Sequence, residues 1–187
     1  VSLLIACSGS SLNGETGEPT VPELGLPDLP HSICGTTHEW LPLAEMGSIV
    51  SAEEDPALSL TKEIIDLLLE SNGLSEYGPV RNGVQTWRVR YNTQDRGPLT
   101  EATGFVFLPD SEAPQTLPLL LYTHPLMGFS DACAPTAVGL EGAAVPLLMS
   151  AMGMIVAAPD YLGMRGFGEG SDELHPAILA EPTAIAS

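Results

Sequence analysis

Basic residues are scarce. Of 187 residues, six are Lys or Arg against 24 Asp or Glu, for a formal net charge of −18. That balance repels nucleic-acid phosphates and anionic lipid headgroups. The six (Lys62, Arg81, Arg88, Arg90, Arg96 and Arg165) are scattered along the chain, so no concealed basic patch offsets it. A nucleic-acid partner is set aside on this ground. Long apolar runs are also missing: nothing approaches the roughly 20 apolar residues of a spanning helix. Any membrane attachment would therefore be through a lipid. Cysteine is limited to three residues, Cys7, Cys34 and Cys133, and no Cys-x-x-Cys pair occurs. What the chain does hold is 44% hydrophobic residues, enough at this length for one domain with a sizeable core.

The N-terminus reads separately from the rest. Leu4-Ile5-Ala6-Cys7 resembles a bacterial lipobox, which implies lipidation at Cys7 and export. The charged region expected ahead of such a site is absent from the sequence as given. Residues 8 to about 30 are rich in Gly, Ser, Pro and Glu without apolar period, as a flexible tether would be. With Cys7 lipidated, Cys34 and Cys133 remain in an oxidising compartment, and a disulfide between them is expected. His31, Cys34 and His38 have ligand-like spacing, with Glu39 following. Yet the segment is Pro-rich and no second ligand pair completes a four-ligand set, so no metal is expected.

Three regions follow: a lipobox-like terminus and tether over 1–30, an extension with one helix over 31–80, and an α/β domain over 81–187. SLTKEIIDLLLESNG predicts a helix capped by Ser59 or Thr61, with a buried stripe of Leu60, Ile64, Leu67 and Leu68 and a stop at Gly73. TWRVRY alternates, with Trp87, Val89 and Tyr91 on one face and Arg88 and Arg90 on the other. NTQDRGPL turns the chain and EATGFVFLP returns it, a hairpin by composition. Leu119 to Tyr122 is apolar on both faces, which predicts a central strand. VPLLMSAMG predicts a short helix with Pro146 in its first turn, and MIVAAPDY another buried strand. Pro182 opens a further helix. Strand, helix and strand in this order imply a right-handed parallel crossover. The architecture is α/β, a hairpin followed by parallel strands. Its functional loop stands at the carboxyl end of the first parallel strand, and the sheet is incomplete.

That loop is the polar exception. Tyr122-Thr123-His124-Pro125-Leu126-Met127-Gly128-Phe129 resembles the oxyanion-hole segment of α/β-hydrolases, where a strand ends in a His-Gly-x-Gly-type sequence. Cys133-Ala134-Pro135-Thr136 looks like the CAP-Ser/Thr element of the secretory lipase family. Gly153 to Gly163 (GMIVAAPDYLG) is similar to that family's Gly-Tyr-x-Val-x-x-x-Asp-Tyr-x-Gly strand and loop. His175-Pro176, and Tyr91 to Asp95 with Ala102-Thr103-Gly104, match further segments in the same order. The resemblance spans roughly residues 85 to 187. It implies a lipase-like carboxylic ester hydrolase with a serine nucleophile, an ester or lipid substrate and no cofactor. A serine peptidase or deacylase of the same fold, or a surface lipoprotein without catalysis, are the alternatives.

The nucleophile is missing. No Gly-x-Ser-x-Gly occurs among the 187 residues, so the elbow serine, the acid and the histidine are expected beyond Ser187. The resemblance implies backbone oxyanion donors at Met127 and Leu126, freedom of turn at Gly128, and a loop-orienting role for His124. Asp160 follows the wrong strand for a triad acid and is expected to hold backbone N–H groups of the loop after it. His175 reads as a loop or helix-entry residue.

Overall fold

The computed structural model describes residues 41–42, 44–95, 97–111, 116–125, 127–171 and 175. The expected lipidation at Cys7, the segment His31 to Glu39 and the helix at Pro182 lie outside them.

Strand β1 (Ile49–Glu54) leads into helix α1 (Lys62–Ser71), and strands β2 (Gly83–Gln94) and β3 (Leu99–Asp110) form the hairpin. After β4 (Leu119–Leu121) come the short helix α2 (Pro135–Val138), helix α3 (Leu140–Ala151) and strand β5 (Ile155–Pro159). The sheet runs β1-β2-β3-β5-β4. β2 and β3 pair antiparallel in unbroken register from Gly83↔Asp110 to Gln94↔Leu99. β5 lies antiparallel to β3 and parallel to β4, with Leu120 opposite Val156. The hairpin and the crossover are therefore present as the residue pattern predicts. β1 was not predicted: IVSAEE is almost wholly exposed, and only its register with β2 holds it.

One sheet face carries the core. Phe105, Phe107, Leu120, Val156 and Ala158 meet Ile65 and Leu69 of α1, and Ala143, Leu147 and Ala151 of α3. Of the expected α1 stripe Leu60 does pack against the core, but within the helix the stripe is off by one position. Thr61 does cap the helix, its hydroxyl facing Ile64 N–H, but Ile65 and Leu69 are the buried residues. Ile64 and Leu67 face outward, and Leu68 stands at the rim. With apolar residues at most positions of this helix, periodicity permits two stripes, and the sheet beneath selects one. Ser59 does not cap; its hydroxyl accepts from Thr86 N–H at 3.0 Å, tying the helix entry to β2.

Pro146 is likewise not in the first turn. α3 begins at Leu140, six residues earlier, and carries Pro146 in its interior, fully packed. The early start follows from Gly139 at φ 64°, which closes α2 and opens α3. It also depends on Gly142, where a Cβ would overlap the Pro135 carbonyl. β4 is an edge strand among the described residues, whereas β5 is enclosed by β3 and β4. Leu119 and Leu121 point away from the helices and are 70% and 40% exposed. Leu121 borders an apolar trough of about 170 Å³ that Val89, Tyr91, Val106 and Ala157 also line.

Candidate functional site

β4 and β5 run side by side in the same direction, so the segments leaving their carboxyl ends meet. In open α/β sheets this is where ligands bind. The first segment runs from Tyr122 to Thr136 and includes the expected oxyanion loop; the second runs from Asp160 to Ser171. Hydrogen bonds join the two at three levels.

At the far end of the first segment stands Asp160, fully buried. Its Oδ1 accepts from Thr136 N–H at 3.0 Å, and its Oδ2 from the Thr103 hydroxyl at 2.6 Å and from the Thr136 hydroxyl. Asp160 N–H in turn donates to Thr103 O at 2.8 Å. Asp160 thus binds the start of α2 and strand β3, not the backbone of its own following loop as expected. The reason is geometric. As β5 ends, the carboxylate points back under Pro135 and Thr136, whose N–H and hydroxyl would otherwise be buried without an acceptor. Burial pushes the Asp160 carboxyl above its ordinary range, opposed by these hydrogen bonds.

In the middle, Asp131 is a hub. Its Oδ1 accepts from Arg165 N–H at 2.7 Å and its Oδ2 from Ser171 N–H at 2.9 Å. Gly166 lies so close to α2 that a Cβ would overlap the Thr136 hydroxyl. Arg88, ion-paired with Asp55 at 2.8 Å, places its guanidinium 5.9 Å from the centre of the Phe167 ring. These contacts fix the glycine-rich segment against the first one.

At the near end, Tyr161 donates its hydroxyl to the His124 carbonyl at 2.8 Å. Its ring stacks on the His124 imidazole with centroids 4.1 Å apart. His124 is buried, and its Nδ1 lies 2.8 Å from Pro125 O, the place of an N–H donor. His175 stacks beyond Tyr161 with centroids 6.2 Å apart and reaches Leu162 O at 2.7 Å through Nδ1.

The expected donor Met127 is described and partly exposed on the loop; Leu126 lies outside the described residues. Gly128 follows at φ 145°, a conformation open to glycine alone, and a Cβ there would lie 2.8 Å from Cys133 Cβ and overlap its sulfur. Cys133 therefore packs against the turn of the loop. Its thiol is free in this structure, and hydrogen bonding from Ser130, side chain first, holds it below the ordinary thiol range. Its expected disulfide partner Cys34 lies outside the described residues.

Sequence reasoning singled out His124, Gly128, Cys133 and Asp160 but missed Thr103, Thr136 and the hydroxyl of Tyr161. One signal was available. An aspartate at the end of an apolar strand needs donors, and the hydroxyl of the Ala-Pro-Thr segment was a candidate. Among the described residues no group of three or more His, Cys, Asp or Glu side chains could hold a metal.

No protein-family model matches this chain, and no curated protein does. Solved structures do. The rice cell wall degrading esterase LipA from Xanthomonas oryzae superposes with a TM-score of 0.58 at 22% identity, over 75% of this chain and 35% of that one. Its ligand-bound form gives a TM-score of 0.55 at 23% identity, over 75% and 36%. A Legionella pneumophila protein solved at 1.15 Å gives 0.52 at 23% identity, over 74% and 36%. The chain spans about a third of the length of these structures. At this level of identity the likeness concerns the fold: the chain has the fold of part of an α/β-hydrolase, with its two joined segments at the carboxyl ends of the parallel strands.

Proposed function

We propose that this chain is the N-terminal portion of an exported, lipase-like carboxylic ester hydrolase. In this reading residues 124–128 form the oxyanion loop, Met127 N–H is the principal donor with Leu126 beside it, and the serine nucleophile lies beyond residue 187. The observation that carries the reading is the joining of the 122–136 segment to the segment after β5, through Tyr161 on the His124 carbonyl, Asp131 on Arg165 N–H and Asp160 on Thr136 N–H. Acyl transfer through a tetrahedral intermediate gains from donors held in place before charge develops, each worth about 3 kcal/mol. A backbone donor contributes its N–H whatever side chain it carries, so a methionine at this position is compatible with the role. Among the described residues the outer edge of β4 is unpaired, and it offers hydrogen-bonding groups to a further parallel strand, where a nucleophile elbow would follow.

The substrate is an ester or lipid, and membrane attachment runs through a lipid on Cys7. Two measurements test the reading. The protein encoded by the complete gene should hydrolyse p-nitrophenyl esters and lose that activity when the serine of its Gly-x-Ser-x-Gly is replaced by Ala. Metabolic labelling with a radioactive fatty acid should disappear in Cys7→Ser. A gene that ends at Ser187, or one that continues without such a serine, would overturn the enzyme reading.

A further inference from the structure

We propose that Tyr161 is a positioning residue for the oxyanion loop: from the end of β5 it sets where the loop begins and hence where Met127 N–H points. The catalytic consequence rests on the ester-hydrolase reading; the mechanical part does not.

Among the described residues Tyr161 alone, apart from glycines, has a positive φ, at 69°. A tyrosine is strained there, and glycine would relax the backbone. The left-handed turn directs the side chain across the gap to the neighbouring strand end. There the ring lies flat on His124 at an interplanar angle of 24°, and the hydroxyl donates to the His124 carbonyl at 2.8 Å. The residue just ahead of Pro125 is therefore held by ring and hydroxyl of one side chain, and the imidazole fixes Pro125 O in turn. Met127 follows two residues later.

The backbone that presents Tyr161 is itself anchored. Asp160, its neighbour, is bound to Thr103 of β3 and to Thr136 of α2. The chain therefore connects the rigid centre of the sheet to the loop entry through the one residue whose conformation is strained. Backbone strain maintained by surrounding contacts is a mark of a functional constraint, and the hydroxyl and the nearer ring contact both lead to the loop entry, while His175 stacks on the ring from the other side.

Tyr161→Phe and Tyr161→Gly in the complete protein test this. Hydrogen exchange of the peptide spanning residues 124–131 is read together with kcat and KM on p-nitrophenyl butyrate and with the thermal midpoint. Tyr161→Phe keeps the ring and loses the hydroxyl. It should speed exchange in that peptide about tenfold and lower kcat about tenfold, with KM within about twofold and the midpoint little changed. Tyr161→Gly relieves the strain but deletes a buried, stacked ring, so its midpoint should fall below that of Tyr161→Phe, and kcat per folded molecule should fall further, about a hundredfold. Unchanged exchange over 124–131 in both variants would overturn the proposal, as would a kcat that only tracks the folded fraction. If the unsubstituted complete protein cleaves no ester, the ester-hydrolase reading alone fails, and the exchange measurements still decide the role of Tyr161.

Discussion

Gly128 and Asp160 show two ways in which single residues hold the site. At Gly128 the constraint is steric, with a backbone at φ 145° and the Cys133 side chain against the missing Cβ. Gly128→Ala in the complete protein should lower kcat by about 10- to 100-fold, since a displacement of the loop misaims its donors. Adding Cys133→Ala should restore only part of the loss, because the clash goes while the strained φ stays; full recovery would show that the φ is not limiting. At Asp160 the constraint is polar. Asp160→Ala would leave the Thr136 N–H and hydroxyl buried without an acceptor and the Thr103 hydroxyl with only Met164 O at 3.4 Å, a loss of about 2 to 4 kcal/mol by urea unfolding.

The pH dependence of Asp160 has a definite sign. Its carboxyl is raised in the folded state, so its contribution to stability is complete below the ordinary value of 3.8 and is lost as pH rises through the folded pKa. Asp160→Asn does not titrate. Measured by urea unfolding, its stability relative to the original chain should improve between pH 3.5 and pH 7; a constant difference would refute the assignment. None of this was legible from the residue itself. That an aspartate followed a buried strand was visible, but Thr136 lies 24 positions away and Thr103 57, and only the sheet brings them within reach.

At the scale of elements, strong patterns survived folding and ambiguous ones did not. The hairpin was readable because alternation and a Gly-Pro turn agree on one register, and twelve residue pairs follow it. The crossover was readable because two apolar runs flank a helix. Helix α1 was readable as a helix and not as a face, since Ile64, Ile65, Leu67, Leu68 and Leu69 supply apolar side chains in several directions. The start of α3 was hidden behind a proline that reads as a helix opener, while the determinants, Gly139 and Gly142, act through backbone contacts with α2. A pair of substitutions separates the two faces of α1. Ile65→Ala, in the core, should cost about 2 to 4 kcal/mol. Leu67→Ala, 63% exposed, should cost within about 0.5 kcal/mol. The reverse ranking in a urea titration would restore the stripe expected from periodicity. The Lys62–Asp66 pair on the same helix, at 2.7 Å but solvated, adds little.

For the whole molecule, the limiting feature is a sheet whose two outer strands, β1 and β4, each have an open edge among the described residues, with one face uncovered. β5 is satisfied on both sides, whereas β4, expected as a central strand, has one side open. Leu119 and Leu121 stand exposed on the β4 edge, and Leu121 borders the apolar trough formed with Val89, Val106 and Ala157. An exposed apolar strand edge pairs readily with other chains. Purified residues 1–187 should therefore self-associate, and Leu121→Lys should reduce the large species seen by sedimentation. The same chain should hydrolyse no p-nitrophenyl ester above background. Fixed loop donors act on a tetrahedral intermediate, and some nucleophile must first form it. Ser130 and Ser171 are the serines nearest the joined segments, and neither sits in an elbow between a strand and a helix: Ser130 precedes a short turn at Asp131, and Ser171 uses its N–H to hold Asp131. Ester turnover by residues 1–187 that persists after Ser130→Ala and Ser171→Ala would show that a nucleophile lies within this chain, and the proposal that it lies beyond residue 187 would fall.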